Sequence, residues 1–249
     1  MKTYTTSEVA KIIKIHPNTV RLYEEWGFIS KVERKENGYR IFTDLHIDQF
    51  KLARNIFKIE ILQNGLRKQA IEIAKTSAKC DFYKAIDITN EYIHKIITER
   101  KNAEEAIEMV KILITKDIDE DITMRRKEVS DYLNISIDTL RNWELNGLIT
   151  IKRKENGYRV YTNEDIIRLK IIRSLRCANY SLSAILRMLN TISENPDIDI
   201  KSIIDKPNND DDIISACDKL ITSLNLAEEN AHYIIALLED MIKKYNPLF

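Results

Sequence analysis

The heptapeptide RKENGYR occupies residues 34–40, and the same seven residues return at 153–159. A second shared pattern lies upstream of each copy, with TVRLYEEWGFI at 19–29 and TLRNWELNGLI at 139–149. Four of the five glycines, at positions 27, 38, 147 and 157, stand at paired places in these stretches. Chance does not distribute so scarce a residue in this way, so the chain contains one module twice.

Each module opens with the signals of two short helices. Thr5 followed by Glu8 predicts a capping box, and the helix after it has an apolar side made of Val9, Ile12 and Ile13. A second helix begins almost at once, which predicts a helix-turn-helix.

The second helix of each module has a clear start and a clear stop. Pro17 suits the first helical position in one module, and Ser136 is a good N-cap in the other. Gly27 and Gly147 end the two helices.

A β-hairpin follows the second helix and predicts a wing. In the first module, extended runs at 28–35 and 39–43 flank Glu36, Asn37 and Gly38. Asn-Gly between such runs favours a hairpin, because both residues tolerate positive φ. The sequence therefore predicts two winged helix-turn-helix domains.

Charge is sorted along the chain although the formal net charge is zero. Residues 1–58 carry 11 basic and 7 acidic side chains, and residues 125–180 carry 12 and 7. Residues 190–249 carry 5 and 12. Two basic segments beside an acidic remainder are typical of a protein in which only part of the surface faces phosphates.

Other classes of protein find little support in the sequence. The cysteines, Cys80, Cys177 and Cys217, form no C-x-x-C pair, and the four histidines form no cluster, so we expect no metal and no cofactor. Nucleotide-binding, metalloprotease and nucleophile-elbow motifs are missing, so we expect no enzyme. The chain has no secretory signal and no apolar run of membrane-spanning length, which favours the cytoplasm and no membrane partner.

The patterns T-(V/L)-R-x-(Y/W)-E-x-x-G-(F/L)-I and N-G-Y-R-(I/V)-(F/Y)-T resemble the DNA-binding domain of the MerR family. In the second module the similarity continues through residues 162–189, which resemble the family's third and fourth helices. The first module departs from the pattern over 58–75, where only a helical apolar pattern remains. The resemblance implies a double-stranded DNA partner, with the second helix in the major groove and the hairpin as the wing.

The resemblance also indicates which side chains face DNA. The candidates on the second helices and wings are Asn18, Thr19, Arg21, Tyr23, Lys35, Asn37, Tyr39, Arg40, Asp138, Thr139, Arg141, Trp143, Lys154, Asn156, Tyr158 and Arg159. Arginine on a second helix is suited to guanine or phosphate, and basic residues on a wing are suited to phosphates.

Three of these interpretations have a structural alternative. Arg21 and Arg141 are the main candidates for base contacts, but each has a glutamate three residues further on with which it can pair on the surface. Tyr23 and Trp143 either donate to phosphates or pack inside the domain. The basic wing is either a phosphate contact or a solvated turn.

Two long helices follow the modules. One apolar seam runs through Ile93, Ile96, Arg100, Ala103, Ile107, Val110 and Ile114, and the other through Cys217, Leu220, Leu224, Ala227, Ala231, Ile234, Leu238, Met241 and Tyr245. The spacing predicts rods of about 25 to 30 residues, roughly 40 Å long, and the resemblance implies that they pair as an antiparallel coiled coil. Cys217 lies on a seam, so we expect a buried structural thiol there.

The expected organisation has six segments. They are a first winged domain at 1–80, a coiled-coil helix at 81–118, a linker at 119–124, a second winged domain at 125–190, an acidic connector at 191–212 and a second coiled-coil helix at 213–249. The fold class is mainly α, with small β-hairpin wings. A short linker favours a monomer that imitates a dimer, and a domain-swapped homodimer is the alternative.

The wings are identical whereas the second helices differ, which predicts an operator with two unequal half-sites. The resemblance implies a transcriptional regulator that bends or untwists promoter DNA, with RNA polymerase as a further partner and the bacterial nucleoid as its location when bound. Two alternatives remain from the residues alone: an architectural, excisionase-like bending factor, and a sensor that responds to a ligand or a metal.

Overall fold

The structure, a computed structural model, describes residues 2–58, 65–115, 122–151, 157, 159–194 and 213–245. These residues form ten α-helices and five short β-strands, which confirms the mainly helical fold with small sheets. In chain order the elements are β1 (Thr3–Tyr4), α1 (Thr6–Ile13), α2 (Pro17–Glu25), β2 (Glu33–Arg34), β3 (Arg40–Thr43), α3 (Asp44–Ile56), α4 (Leu66–Ala78), α5 (Phe82–Thr115), β4 (Thr123–Arg125), α6 (Arg126–Tyr132), α7 (Ile137–Leu145), β5 (Val160–Thr162), α8 (Asn163–Cys177), α9 (Leu182–Glu194) and α10 (Ile213–Tyr245). Among the described residues, no helix combines the length and apolar character needed to span a bilayer.

The chain divides into two compact units that are not consecutive segments. Unit 1 comprises Met1–Ile97 and Asn225–Phe249, and unit 2 comprises Thr98–Leu224. Elements β1 to α4, called head 1, belong to unit 1, and elements β4 to α9, called head 2, belong to unit 2. Each unit also takes part of α5 and part of α10. The six-segment division expected from the sequence stays a prediction.

Head 1 opens with the predicted capping box. The backbone N–H of Thr5 donates to the Glu8 carboxylate at 2.7 Å, and the Glu8 N–H donates to the Thr5 hydroxyl at 3.4 Å. Val9 and Ala10 are buried, but Ile12 is 44% exposed, so its assignment to the buried side is wrong. The buried face of α1 is centred between Val9 and Ala10. Each residue of a helix is rotated by about 100° from the one before it, so Ile12 lies away from that face.

The second helices start and stop where the sequence predicts. Pro17 is the first residue of α2, and the Ser136 hydroxyl accepts the N–H of Thr139 at 3.1 Å to cap α7. Gly27 and Gly147 follow these helices with φ of +72° and +74°, a backbone conformation that favours glycine.

The wing of head 1 is shorter than predicted. Strands β2 and β3 pair antiparallel with Arg34 opposite Arg40, and the Gly38 N–H donates to the Lys35 carbonyl at 2.8 Å. Gly38 has φ of +80°, whereas Asn37 is not among the residues with positive φ, so the expectation for Asn37 is wrong. A single left-handed glycine after a tight turn indicates the three-residue loop 36–38 that the sequence predicts.

Each head has an edge strand that the sequence did not predict. In head 1, β1 pairs with β3 and places Tyr4 opposite Phe42. In head 2, β4 pairs with β5 and places Met124 opposite Tyr161, so the end of the expected linker is strand. These strands have two and three residues, too few for alternation to be recognised.

A threonine caps the third helix of each head. In head 2 the Thr162 N–H donates to the Asp165 carboxylate at 2.8 Å, and the Asp165 N–H donates to the Thr162 hydroxyl at 3.3 Å. In head 1 the Thr43 N–H donates to Nδ1 of His46 at 3.0 Å. His46 therefore takes the place of Asp165 in the repeat and must be unprotonated at Nδ1 to serve as a cap.

The long helices exceed the rod length of about 25 to 30 residues that the seams predict. Helix α5 has 34 residues and α10 has 33, which corresponds to about 50 Å each. On α10 the predicted seam is confirmed, because its residues from Cys217 to Met241 are buried and Tyr245 is partly buried.

The seam predicted on α5 is partly wrong. Glu99 and Ala106 are buried, whereas the neighbouring Arg100 and Ile107 are only partly buried. The side chain of Ile114 lies outside the described residues. The buried side of α5 differs from the predicted seam because Arg173 of head 2 pairs with Glu99 and holds it in the interior.

The cysteines occupy three separate environments. Cys217 is fully buried, as predicted, and Cys177 is buried in head 2, while Cys80 is exposed. All three are free thiols.

The cap of α3 makes stability depend on pH. Burial lowers the pKa of His46, against weaker opposing influences of the Lys31 backbone and of the Glu24 and Glu33 carboxylates. Folding therefore favours the neutral ring, and this part of the stability is present above the unfolded pKa of about 6.5 and is lost as the pH falls through the folded value.

We expect the thermal unfolding midpoint of the wild type to decrease when the pH is lowered from about 7.5 to about 5.5. His46→Asp copies the cap of head 2 and should show a smaller fall over the same range, measured by thermal circular dichroism. The same fall in both proteins would contradict the assignment.

Candidate nucleic-acid interface

The second helices of the two heads present equivalent faces to solvent. The exposed positions are Asn18, Arg21, Leu22 and Glu25 on α2, and Asp138, Arg141, Asn142 and Leu145 on α7. The opposite faces are anchored by buried residues, Val20 and Tyr23 on α2 and Leu140 and Trp143 on α7. Packing therefore fixes which side chains of each helix are free to meet a ligand.

Arg21 and Arg141 are both exposed, and neither forms the predicted pair with its helical neighbour. The Arg21 guanidinium donates to the Asn18 side chain at 3.2 Å. Glu24, its expected partner, pairs with Arg40. Glu144 likewise pairs with Arg126 and Arg159, so the predicted pairing of Arg21 and Arg141 with these glutamates is wrong.

Each of these glutamates links its helix to the base of the wing. Glu24 accepts from Nε of Arg40, and Glu144 accepts from Nε of Arg159 at 2.7 Å. Glu144 also pairs with Arg126 at 3.0 Å. The side chains of Glu24 and Glu144 are 16% and 19% exposed, so both carboxylates are largely covered.

This arrangement gives Arg40 and Arg159 a structural role that the sequence did not predict. Their side chains are 22% and 24% exposed and have a carboxylate partner, which links the wing to the second helix. Their contact with phosphates stays a prediction. A pair at the same place in both heads cannot be read from the wing sequence alone, because the partner lies 15 or 16 residues upstream.

Tyr23 and Trp143 pack in the interior of their heads, which favours the packing alternative; their contact with phosphates stays a prediction. They are 5% and 4% exposed. The Tyr23 ring packs edge-on against Phe28 and stacked on Phe50, with ring centroids 5.6 Å apart in both cases. An aromatic ring has a large apolar surface, and here it serves to anchor the helix.

The tip of the first wing is open to solvent. Lys35, Asn37 and Tyr39 are exposed, and Tyr39 retains 71% of its surface. The Asn37 side chain accepts the Tyr39 N–H at 3.3 Å, which shapes the turn. In the second wing, Lys154, Asn156 and Tyr158 lie outside the described residues.

The remaining predicted residues lie at the starts of the two helices. Asn18 is exposed, and its N–H donates to the His16 ring at 3.2 Å. Asp138 is exposed, whereas Thr19 and Thr139 are partly buried. The Thr139 hydroxyl lies 2.9 Å from that of Ser136, so it belongs to the helix cap.

Leu22 and Asn142 are candidates that sequence reasoning missed. They occupy equivalent positions next to Arg21 and Arg141 and share their exposed face. The Asn142 side-chain oxygen accepts from the Asn146 amide at 3.3 Å. The helical period was the available signal, because it places residues 18, 21, 22 and 25 on one side.

No cluster of three or more histidine, cysteine or acidic side chains suited to a metal ion occurs in the part of the chain that the structure describes.

The comparisons with known proteins agree with this geometry. The model of the MerR HTH family regulatory proteins matches residues 4–69 and 124–192, together more than half of the chain. The chain belongs to the MerR family. Both matched regions contain the helix-turn-helix and the wing-forming stretch of one head, so this MerR-family chain carries the family's domain twice.

Individual relatives match only part of the chain. The chain is 42% identical over 48 residues to the HTH-type transcriptional regulator CueR of Escherichia coli O6:H1. This match covers 19% of this chain and 36% of the relative. It is 26% identical over 102 residues to the mercuric resistance operon regulatory protein of Bacillus cereus, with 41% and 77% covered. The HTH-type transcriptional regulator ZntR of Escherichia coli K12 is 26% identical over 65 residues, with 26% and 46% covered. The chain thus spans about a third of the length of the CueR relatives that it matches, and no solved structure matches it significantly.

The helix-to-wing pair of this MerR-family chain predicts a stability effect. Arg40→Ala leaves the covered Glu24 carboxylate without its cation, which should lower the free energy of unfolding by about 1 to 3 kcal/mol. Chemical denaturation measures this change directly.

Lys35→Ala, at an exposed position of the same wing, is the matched control and should change the free energy of unfolding by less than about 0.5 kcal/mol. Equal stability of the two variants would show that the pair does not fix the wing.

Proposed function

We propose that the protein is a sequence-specific, double-stranded DNA-binding transcriptional regulator of MerR type. The proposal rests on the equivalent exposed faces of α2 and α7. Each face has an arginine, and the glutamate one turn later on the same helix pairs with a different arginine at the wing. Each face enters the major groove, where Arg21 and Arg141 fork onto guanine.

The wings supply the sequence-independent part of binding. Lys35 is exposed at the tip of the first wing and contacts a phosphate, and Lys154 has the same place in the repeat. Arg40 and Arg159 position the wings through Glu24 and Glu144. Phosphate contacts set affinity and orientation, whereas the helix faces set sequence.

The two half-sites of the operator are unequal. At the position beside the shared arginine, Leu22 offers a methyl-bearing surface to thymine, and Asn142 offers an amide to adenine. Asn18 and Asp138 differ at the start of the same faces. An operator read by two different helices has no need of palindromic symmetry.

One chain supplies both heads and imitates a dimer. The segments that make up the two units support this proposal. The first part of α5 and the last part of α10 both belong to unit 1. At the end of α10, the Tyr245 hydroxyl donates to Asp48 of α3 at 2.8 Å, and Lys244 donates to the same carboxylate at 3.0 Å. This composition favours the antiparallel coiled coil over parallel pairing.

At a promoter, the two heads bend or untwist the DNA between them, and RNA polymerase is the further partner. The six-segment division, with domains at 1–80 and 125–190, is part of the same proposal. An excisionase-like bending factor would use the same heads without affecting transcription. In vitro transcription from a promoter with the selected operator distinguishes the two roles.

Binding should depend steeply on salt. Duplexes selected from random DNA by the wild type serve as the probe, and fluorescence anisotropy at several salt concentrations measures the slope. Lys35→Ala removes one phosphate contact and should reduce the slope of log affinity against log salt by about 1.

Lys79→Ala, at an exposed position after α4, is the control and should keep the wild-type slope. The absence of salt-sensitive binding by the wild type to any selected duplex would refute the proposed function.

Each arginine should read one half-site. Arg21→Ala and Arg141→Ala should each weaken binding to the selected operator by about 10-fold to 100-fold. Scrambling the half-site of head 2 should weaken Arg141→Ala less than it weakens the wild type, while scrambling that of head 1 should weaken both proteins equally.

Arg21→Ala should show the reverse pattern, so each variant is the control for the other. Equal losses for both variants on both scrambled duplexes would mean that neither arginine reads bases.

A further inference from the structure

Each long helix is tied to the third helix of one head at equivalent positions. In unit 2 the Ser174 hydroxyl of α8 donates to the Asn102 carbonyl of α5 at 3.0 Å. In unit 1 the Asn230 amide of α10 donates to the Asn55 carbonyl of α3 at 2.8 Å. Ser174 and Asn55 are related by the 119-residue offset of the repeat, so the two contacts are counterparts.

The long helices also correspond to each other in sequence. Asn102 is followed by Ala103 and Asn230 by Ala231, and both alanines are fully buried. This pairing relates α5 to α10 by an offset of 128 residues. Every contact between α5 and head 2 therefore has a defined counterpart between α10 and head 1.

Next to these contacts, the interface between α5 and head 2 differs in charge from the interface between α10 and head 1. Arg173 of α8 donates to both carboxylate oxygens of Glu99 of α5, at 2.8 and 2.7 Å, and its Nε donates to the Leu133 carbonyl at 2.8 Å. The side chains of Arg173 and Glu99 are 8% and 4% exposed. The counterparts in unit 1 are Arg54, which is exposed, and Ala227, which is buried.

A second pair repeats the difference. Lys170 of α8 pairs with Glu105 of α5 at 3.3 Å. The counterpart of Lys170 is Lys51, which pairs within α3 with Asp48 at 3.4 Å, and the counterpart of Glu105 is Tyr233, which is 53% exposed. Polar pairing between long helix and head at these positions is thus a property of the interface in unit 2.

The two long helices are therefore not interchangeable. If α10 occupied the place of α5 on head 2, Ala227 would face Arg173, and the buried guanidinium would keep only the Leu133 carbonyl. A buried charge that loses its partner is strongly destabilising, whereas the intact pair is tolerated because its geometry is bidentate.

We propose that the Glu99–Arg173 pair decides which long helix docks on which head, so that α5 is selected for head 2 and α10 is left for head 1. A second copy of the chain that offered α10 to head 2 is rejected. Every assembly then contains head 1 and head 2 in equal number and in one arrangement. This inference rests on the proposed function for its consequence, an operator with one half-site of each kind.

Charge reversal in the full chain tests the pair without DNA. Glu99→Arg and Arg173→Glu each bury two like charges, and each should lower the thermal midpoint by on the order of 10 °C. The chain with both reversals restores opposite charges and should regain at least half of that loss. Arg54→Glu, at the exposed counterpart, is the matched control and should keep the wild-type midpoint.

Mixing tests selection rather than stability. The Glu99→Arg chain and the Arg173→Glu chain are unfolded together, refolded and examined by native mass spectrometry. In a mixed dimer, α5 of each chain docks on head 2 of the other. The two introduced side chains then meet as an opposite-charge pair, and the unchanged Glu99 and Arg173 meet as in the wild type. We expect this 1:1 species to form and to melt above either variant alone.

Unchanged midpoints of the single variants, a double reversal as unstable as its parents, or a mixture that behaves as the sum of its components would each overturn the inference. These readouts need no DNA. A failure of the wild type to bind DNA would instead refute the proposed function and leave the docking rule standing.

Discussion

In each head, one carboxylate links the second helix to the wing. Glu24 and Glu144 stand near the ends of α2 and α7 and pair with Arg40 and Arg159 at the base of the wings. Because the carboxylates are largely covered, helix and wing are linked by a charge-assisted hydrogen bond in a region of reduced solvent screening. The same link frees the arginine one turn earlier on each helix, so one interaction both orients the wing and leaves the exposed face available.

Much of this arrangement is predictable from short-range signals. Capping boxes, the glycines at 27 and 147 and the threonines before the third helices are local features, and they define the helices that carry the exposed faces. The α10 seam is equally predictable, since one helix buries one stripe along its length.

The errors arise where a distant partner decides the outcome. The wing sequence alone does not show that Glu24 lies beside Arg40, and the sequence of α2 does not show that Tyr23 packs against Phe28 and Phe50. The α5 seam shifts to Glu99 because Arg173 lies opposite. Periodicity gives the face of a helix, but it does not give the partner that makes a buried charge acceptable.

The duplication explains why similarity and difference coexist in this chain. The positions that build a head, such as the anchoring aromatic residues and the wing link, keep their chemistry in both copies. The exposed positions of the second helices and the positions that face the heads from the long helices have diverged, as in Leu22 and Asn142 or in Ala227 and Glu99. A homodimer must use one sequence for both halves, whereas a duplicated chain is able to specialise each half.

Under the proposed function, one chain grips two successive sites on one duplex through its two heads. Native mass spectrometry of the complex with a selected operator, combined with hydroxyl-radical footprinting, measures this binding mode. We expect one chain per duplex and two protected windows on one face, separated by whole turns of about 10.5 base pairs. A single window, or a complex that needs two chains for two windows, would contradict it.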